Sequence, residues 1–279
     1  NESTRTLLFA KKFPNRFFDF GPAEQNMISV ASGMASTGKI PFVSTFAVFG
    51  TGRAFDQLRV QVAQAKSNVK LICTHAGIIT GDDGMSAHGI EDLALASSLV
   101  GVTVIAPSDA IETTHAINAA AELDGPVYIR LYRPETPIVH KQNCDFRIGV
   151  AELMRVGKDV TIIAIGSMVS RALEAASLLS KENIDCRVLN MHTLHPTDEQ
   201  AICDAAIETG AIVTAEEHYI NGGLHSAVSQ VASRLHPVPI EPVALTTYAE
   251  SGDPESLLTK YNVSSSDIHA AVKRVISRH

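Results

Sequence analysis

Strand-like and helix-like runs alternate along nearly the whole chain of 279 residues. Short runs rich in Val, Ile and Phe predict strands, and longer runs with apolar residues three or four positions apart predict helices. Alternation of this kind is typical of α/β proteins, because neighbouring parallel strands are joined by a crossover that is usually a helix. We therefore expect an α/β protein in which helices flank mainly parallel sheets.

The predicted elements form two groups, separated by a proline-containing stretch at residues 134–148. In the first group the predicted strands are Phe17–Phe20, Pro41–Phe46, Val69–Thr74, Thr103–Ala106 and Val127–Leu131, and the predicted helices are Ala23–Thr37, Arg53–Gln64, Ile90–Leu99 and Ala110–Glu122. In the second group the predicted strands are Val160–Ile165, Asp185–Asn190, Ile212–Glu216 and Ile240–Leu245, and the predicted helices are Val169–Lys181, Asp198–Thr209, Gly223–Leu235 and Ser266–Ile276. Prolines in the separating stretch favour extended backbone. We predict domains at residues 1–133 and 149–279, joined by a linker at 134–148.

The composition restricts the kind of partner and the compartment. Hydrophobic residues make up 45% of the chain and charged residues 19%, which is typical of a soluble globular protein with a large core. The net charge of −7 comes with no basic stripe, so nucleic acid is not an expected partner. No apolar run reaches the roughly 20 residues that span a bilayer, so we expect no membrane association. Four separated cysteines without a CxxC pair indicate reduced thiols in the cytoplasm and no zinc site.

The segment from Phe17 to Asn26 places a carboxylate at the start of a predicted helix. A short apolar run is followed by Gly21 and Pro22, and proline suits the first position of a helix. Glu24 then lies in the first helical turn, where the helix dipole favours an anion. From the local pattern alone, Glu24 either complements the dipole or serves a ligand site.

An ordered set of short motifs follows along the chain. They are G-x-A-E-Q-N at 21–26, S-T-F-A-V-F at 44–49, T-H-A-G at 74–77, G-D-D-G at 81–84, G-P-V-Y-I-R at 125–130, A-E-E-H at 215–218 and E-S-G at 250–252. Together they resemble the transketolase family over essentially the whole chain. The resemblance implies a pyrimidine-binding domain of the thiamine-diphosphate-binding fold, followed by a transketolase C-terminal domain. It also implies that this chain is the C-terminal half of a transketolase, present as a separate subunit.

The resemblance implies cofactor contacts for three residues. Glu24 corresponds to the catalytic glutamate, which hydrogen-bonds a ring nitrogen of the aminopyrimidine of thiamine diphosphate. Phe46 and Phe49 correspond to two aromatic residues that wall the pyrimidine, where ring stacking stabilises a flat heterocycle. Plain core packing is the alternative for either phenylalanine.

Four residues are implied to contact the substrate. His75 ends a predicted strand, where open parallel sheets bind their ligands. It corresponds to a catalytic histidine that contacts a sugar hydroxyl or carbonyl. Asp83 corresponds to an aspartate that selects a hydroxyl, and Arg133 and Ser3 correspond to residues at the sugar phosphate. A purely structural histidine is the alternative for His75.

Two positions leave alternatives open. The family motif D-G-x-T-H-Q reads Asp83-Gly-Met-Ser-Ala-His88 here, so Ala87 occupies the histidine position and His88 follows it. Either the loop shifts to present His88 as a catalytic residue, or a substrate contact is lost. Arg130 is an alternative to Arg133 as the phosphate ligand, and we prefer Arg133 by its alignment.

The resemblance further implies a companion subunit. The family's G-D-G motif and distant Asn pair, which hold the diphosphate and magnesium, are absent from this sequence. We therefore expect no metal ligand in this chain and Mg²⁺ on an N-terminal transketolase subunit. Two copies of each chain would form a heterotetramer with two active sites. The chain begins at Asn1 on a helix-like stretch, so we expect the family's leading strand and helix to be missing from it.

The activity implied by the resemblance is ketol transfer in the pentose phosphate pathway. A two-carbon unit passes from a ketose phosphate to an aldose phosphate, with thiamine diphosphate as cofactor. The alternatives are a 1-deoxyxylulose-5-phosphate synthase, a 2-oxoacid dehydrogenase β subunit and a non-catalytic partner subunit. Ala87 favours the last of these, whereas the intact Glu24 and Phe46 argue against it.

Overall fold

The computed structural model describes residues 2–278. Asn1, where the first predicted domain begins, and His279, where the second ends, lie outside the described residues. Its strands are β1 (Phe42–Phe46), β2 (Lys70–Thr74), β3 (Thr103–Ile105), β4 (Val127–Arg130), β5 (Glu152–Arg155), β6 (Val160–Ala164), β7 (Cys186–Asn190), β8 (Thr193–His195), β9 (Ile212–Tyr219) and β10 (Ile240–Leu245). Its α-helices are α1 (Leu7–Lys12), α2 (Glu24–Ala35), α3 (Phe55–Gln57), α4 (Asp92–Ser97), α5 (Ala110–Glu122), α6 (Met168–Ser180), α7 (Glu199–Thr209), α8 (Leu224–Leu235), α9 (Pro254–Lys260) and α10 (Ser265–Ile276). Tighter 3₁₀ turns lie at Pro14–Arg16 and Ile78–Asp83, and wider π-helical segments lie at Val48–Arg53 and Leu58–Gln64.

The first sheet, within residues 2–278, contains five strands in the order β1-β2-β4-β3-β8. The first four are parallel, and β8 pairs antiparallel with β3 at one edge. Every residue of β4 is buried, as expected for a parallel strand covered on both faces of its sheet. Because β8 lies in the second half of the chain, the first sheet includes a strand from beyond the predicted linker.

The second sheet, over the same described range, contains five strands in the order β10-β9-β6-β7-β5. Four of them are parallel, and β5 pairs antiparallel with β7 at the edge. All five residues of β6 are buried at the centre of this sheet. The prediction of an α/β protein with two mainly parallel sheets flanked by helices is therefore confirmed.

One predicted strand is wrong, and several short elements of the structure were not predicted. Residues Phe17–Phe20 form no strand, and Phe18 is exposed. An apolar run becomes a strand only where a neighbouring strand accepts its backbone hydrogen bonds, and this run has a 3₁₀ turn before it and Gly21 in the left-handed region (φ +59°) after it. The short elements β5, β8 and α9 were missed because their sequences show too few repeats of either period.

The cores of the two halves are joined rather than separate. One apolar cluster contains Val104 and Tyr128 of the first sheet together with Leu194 and Val228 of the second half. Another contains Ile78 and residues of the second sheet. The segment that follows β2 therefore packs against the second half of the chain, which fixes its position relative to the first sheet.

No described helix combines the length and the apolar character needed to cross a lipid bilayer.

Candidate active site

A cleft of about 880 Å³ opens at the carboxyl ends of β1 and β2. Open parallel sheets bind ligands at this edge. Its lining includes Phe46, His75, Asp83 and Arg133, and Ser3 from the beginning of the chain. The structure therefore brings five of the residues predicted for the site to one cavity, from positions as far apart in sequence as Ser3 and Arg133.

Glu24 is the first residue of α2 and is 5% exposed. Pro22 lies two residues before the helix, and Glu24 lies in its first turn, as predicted. Arg53 Nη1 donates to Glu24 Oε2 at 2.9 Å, whereas the Thr45 hydroxyl donates to Oε1 at 3.5 Å, the long end of hydrogen bonding. Oε1 therefore keeps acceptor capacity for a ligand.

Four planar groups stack beside this carboxylate. Phe46 and Phe49 lie almost parallel, with ring centroids 5.7 Å apart, and the centroid of the His75 ring lies 3.6 Å from that of Phe46. The Arg53 guanidinium lies 4.3 Å from the centroid of Phe49. The π-helical segment Val48–Arg53 supplies Phe49 and Arg53, and such segments often occur at functional sites. At one end of the stack Arg53 contacts the Glu24 carboxylate, and at the other Phe46 and His75 line the cleft.

His75 has an unusual backbone and a neutral ring. It is 2% exposed and has a φ of +61°, which is uncommon for a residue other than glycine. Its Nδ1 is 2.8 Å from the Thr74 hydroxyl, and its Nε2 is 3.7 Å from Asp83 Oδ2. Burial lowers the pKa of His75 to about 4, despite the nearby Asp83 carboxylate. The ring is thus uncharged at neutral pH and can either donate or accept a hydrogen bond.

Asp83 and Arg133 are neighbours in the cleft lining without a tight ion pair. Arg133 Nε is 3.8 Å from Asp83 Oδ2, and Arg133 Nη1 donates to Thr80 O at 3.0 Å. The side chain of Arg133 is 46% exposed, and Ser3 is exposed as well. Most of the donors of this guanidinium therefore remain available to an anion.

The loop that carries Asp83 is held by the second half of the chain. Glu217 Oε1 accepts a hydrogen bond from the Ile79 backbone N–H at 2.7 Å, and the Ser251 hydroxyl donates to Asp82 O. Gly77, at φ +75°, leaves room for this contact, because a Cβ there would lie 2.0 Å from Glu217 Oε1. The second half therefore positions a residue of the cleft without lining much of it.

His88 does not line the cleft. It is 2% exposed, and its Nε2 is 3.0 Å from Gly81 O, so the ring bridges the two ends of the loop. Burial lowers the pKa of His88. Its Nδ1 has no hydrogen-bond partner within the described residues. Its catalytic role stays a prediction, and this placement supports a role in holding the loop.

Arg130 is excluded from the cleft by its contacts. It is fully buried, and its Nε donates to Asp92 Oδ2 at 2.9 Å. Its other nitrogens donate to the Tyr132 hydroxyl, Gly89 O and Glu217 O at 3.0, 3.2 and 2.8 Å. With its donors used in this way, Arg130 has nothing to offer a phosphate.

Sequence reasoning missed Arg53 and Glu217. Arg53 pairs with a carboxylate 29 positions away, and Glu217 holds the backbone of Ile79, 138 positions away. The spacing of Arg53, four residues after Phe49 on a helical stretch, was the one local signal for it. Nothing local indicates the contact of Glu217.

Two family descriptions match the chain. Residues 1–138 match the family described as "Transketolase, pyrimidine binding domain", and residues 149–268 match "Transketolase, C-terminal domain". Between them these matches cover both sheets, including the cleft and the loop beside it.

Individual relatives agree with these matches. The chain is 40% identical over 282 residues to the putative transketolase C-terminal section of Methanocaldococcus jannaschii, which covers 98% of this chain and 86% of that protein. It is 41% identical over 280 residues to the transketolase of Rattus norvegicus, covering 99% of this chain but only 45% of the relative. Among solved structures, a split gene transketolase described as an inactive beta4 tetramer superimposes with a TM-score of 0.93 at 45% identity, covering 99% of this chain and 89% of that one.

Proposed function

The chain belongs to the transketolase family, and we propose that it is the C-terminal subunit of a two-chain transketolase. In this proposal it works with an N-terminal subunit to transfer a two-carbon ketol unit from a ketose phosphate to an aldose phosphate. The observation that carries the proposal is the Glu24 carboxylate, buried at a helix start with one oxygen still able to accept, beside stacked aromatic rings at a cleft.

The residues present fit thiamine diphosphate on its pyrimidine side. Glu24 Oε1 is the acceptor for a proton on the ring nitrogen of the aminopyrimidine, and Arg53 holds the other oxygen in place. Phe46 and Phe49, whose ring centroids lie 5.7 Å apart in the stack with His75 and Arg53, supply the aromatic surface that would stack on the heterocycle. When bound, the cofactor supplies a carbon that stabilises negative charge during cleavage next to a carbonyl.

The remaining cleft residues suit a phosphorylated sugar. Neutral His75 can donate to or accept from a sugar hydroxyl, and Asp83 can accept from another. Arg133, which lines the same cleft as Ser3, offers a half-exposed guanidinium, a group that can bind phosphate oxygens in a bidentate manner. His88 is proposed to act by holding the loop that carries Asp83.

The diphosphate and Mg²⁺ are assigned to the companion subunit. The sequence lacks the family motif for them, and in the described part of the cleft lining the acidic side chains are Glu2 and Asp83. A solved relative is described as an inactive tetramer of one chain type, which supports the need for a second chain type. We propose a heterotetramer with two copies of each chain, located in the cytoplasm, where the four free cysteines stay reduced.

Mixing the two subunits tests this proposal. The full chain and an N-terminal subunit carrying the diphosphate motif are purified separately and assayed with thiamine diphosphate, Mg²⁺, a ketose phosphate and an aldose phosphate. We expect ketol transfer in the mixture and none with either chain alone. Turnover by this chain alone, or a stable complex that transfers no ketol unit, would contradict the proposal. A mixture without thiamine diphosphate is the control.

A further inference from the structure

A second cluster of polar side chains lies away from the cleft, where the two halves of the chain meet. It draws on four elements: Glu112 from the first turn of α5, His140 from the segment at 134–148, Glu152 from β5 and Asn190 from the end of β7. One ligand atom each of Glu112, His140 and Glu152 lies within 4.8 Å of the others. None of these residues lines the cleft.

The distances within the cluster lie on either side of the separation of ligand atoms that share a metal ion, and the shortest of them is also a hydrogen-bond distance. His140 Nε2 is 3.0 Å from Glu152 Oε2 and 3.8 Å from Glu112 Oε1. Ligand bonds of about 2.0–2.2 Å in a tetrahedral zinc site put ligand atoms about 3.4 Å apart. The nitrogen and the two oxygens therefore need little movement to bind one cation.

Asp109 holds the histidine in the orientation that metal binding needs. Its Oδ2 lies 3.0 Å from His140 Nδ1 and also accepts the backbone N–H groups of Val139 and His140 at 2.8 and 2.9 Å. Because carboxylate oxygens only accept, the 3.0 Å contact between Nε2 and Glu152 Oε2 needs a proton, which a metal ion on Nε2 would displace while the Nδ1 proton stays on Asp109. Metal-binding histidines usually have their other nitrogen on a carboxylate in this manner.

Asn190 gives an independent indication of a missing ligand. It is fully buried, and its Oδ1 has no hydrogen-bond partner among the described residues. Its Nδ2 lies 2.8 Å from Glu112 Oε1 and 3.5 Å from His140 Nε2. A half-turn about the Cβ–Cγ bond exchanges the two amide atoms and would bring the unpartnered oxygen into the cluster, where a cation could satisfy it.

The charge of the cluster also favours a cation. Asp109, Glu112 and Glu152 supply three carboxylates, and within residues 2–278 the ion pairs of all three go to the single imidazole of His140. Asp109 and Glu112 are buried. Both also accept hydrogen bonds, Asp109 from backbone N–H groups and Glu112 from Ser108 and Asn190, but buried carboxylates that outnumber the cationic groups beside them are costly, and a divalent cation offsets that excess of negative charge.

We propose that Glu112, His140, Glu152 and Asn190 bind one divalent first-row transition metal ion, with zinc as the ion to test. Imidazole and carboxylate ligands suit this class, whereas a site for Mg²⁺ would have oxygen ligands alone. The side chain of Glu152 is 33% exposed, which provides a route of entry and room for a water ligand. The sequence predicted no metal ligand because the family's diphosphate and magnesium motif is absent, and no zinc site because the cysteines are far apart. The ligands proposed here are spread along the chain, Glu112 and Asn190 being 78 positions apart.

Zinc titration of the full chain tests the site. The protein is freed of any affinity tag, treated with chelator, dialysed and titrated with Zn²⁺ in a calorimeter. We expect one ion per chain and at least a tenfold loss of affinity in Glu152→Gln, a change on an edge strand that keeps the size of the side chain. Glu241→Gln, on edge strand β10, is the matched control and should bind as the wild type does. Failure to bind Zn²⁺, or unchanged binding by Glu152→Gln, would overturn the proposal.

Crystals of the wild-type chain grown with Zn²⁺ give a test that depends on no variant. Anomalous scattering at the zinc absorption edge should place a peak between His140 Nε2 and the carboxylates of Glu112 and Glu152. A peak only at surface histidines or at cysteines, or no peak, would show that the cluster is an ion-pair network without metal.

Discussion

Arg130 and Arg133 are three positions apart in sequence and belong to two regions with opposite character. Arg130 is part of the junction network, which we define as the buried side chains Asp92, Tyr128, Arg130, Glu217 and His218. Arg133 lies in the cleft, where its side chain is 46% exposed and its ion pair with Asp83 is 3.8 Å long. The network uses its donors within the chain, whereas the cleft leaves donors free. The first arrangement stabilises the fold, and the second is suited to a ligand.

The two regions are nevertheless connected. Arg130 donates to Gly89 O and Glu217 accepts from Ile79, so the network holds both ends of the loop that carries Asp83. A side chain in the cleft can thus remain exposed and still be well positioned, because the buried contacts are made by its neighbours. Substitutions in the network and in the cleft should therefore have separable effects on stability and on turnover.

The largest expected effect is on turnover, from Glu24→Gln. Glutamine keeps the size of the side chain and an acceptor for Arg53, but it cannot take up a proton. We expect kcat of the two-chain mixture to fall by about 10²- to 10⁴-fold, the usual contribution of a proton-transferring group. Steady-state ketol transfer measures it, with Glu122→Gln, at an exposed position on α5, as the control. Undiminished turnover would remove Glu24 from the mechanism.

Arg130→Met should affect stability. The substitution leaves the Asp92 carboxylate buried without its cation, which lowers the free energy of unfolding by about 3–5 kcal/mol. Chemical denaturation of the chain measures this change. The double variant with Asp92→Asn should recover part of the loss, because it removes the unpaired charge. If Arg133→Met proved equally destabilising, the contrast between the two regions would fail.

His218 should make stability depend on pH. Its Nε2 accepts the Ala94 N–H at 3.3 Å and its Nδ1 lies 2.6 Å from Tyr219 O, so the ring is neutral. Burial lowers the pKa of His218 to about 4. Between pH 6.5 and 4 the unfolded chain binds this proton and the folded chain does not, so stability falls as the pH falls.

The measurement compares free energies of unfolding at pH 7 and pH 4.5. Between pH 7 and pH 4.5 we expect the free energy of unfolding of His218→Gln to fall by about 2 kcal/mol less than that of the wild type. His236→Gln, at an exposed position, should lose as much as the wild type does. An equal loss in all three proteins would show that the His218 site does not set the pH dependence.

The smallest expected effect comes from Arg133→Met. Loss of a charged hydrogen-bond donor to phosphate should raise KM for the phosphorylated sugar about tenfold and leave KM for an unphosphorylated analogue unchanged. The free energy of unfolding should stay within about 0.5 kcal/mol, since the side chain is half exposed. Arg59→Met, at another half-exposed arginine, is the matched control. Equal changes of KM for both sugars would argue against a phosphate contact.

Local sequence determined the fold class and most of its elements. Apolar periods of 2 and 3.6 residues follow from the covalent geometry of strands and helices, so the main strands and most of the helices could be placed. The run Phe17–Phe20 failed because a strand also needs a partner, which no local pattern reveals. The ordered motifs identified the family, and the structure brings Phe46, His75, Asp83, Arg133 and Ser3 to one cleft.

Tertiary structure alone decided which polar groups meet. It paired Glu24 with Arg53, buried Arg130 while leaving Arg133 exposed, and placed β8 in the first sheet. It also gathered the proposed metal ligands from both halves of the chain. The free energy of a polar group depends on its burial and its partners, and both are set by contacts between residues distant in sequence. The pattern of apolar residues could therefore predict the scaffold, but not the environment of each charge.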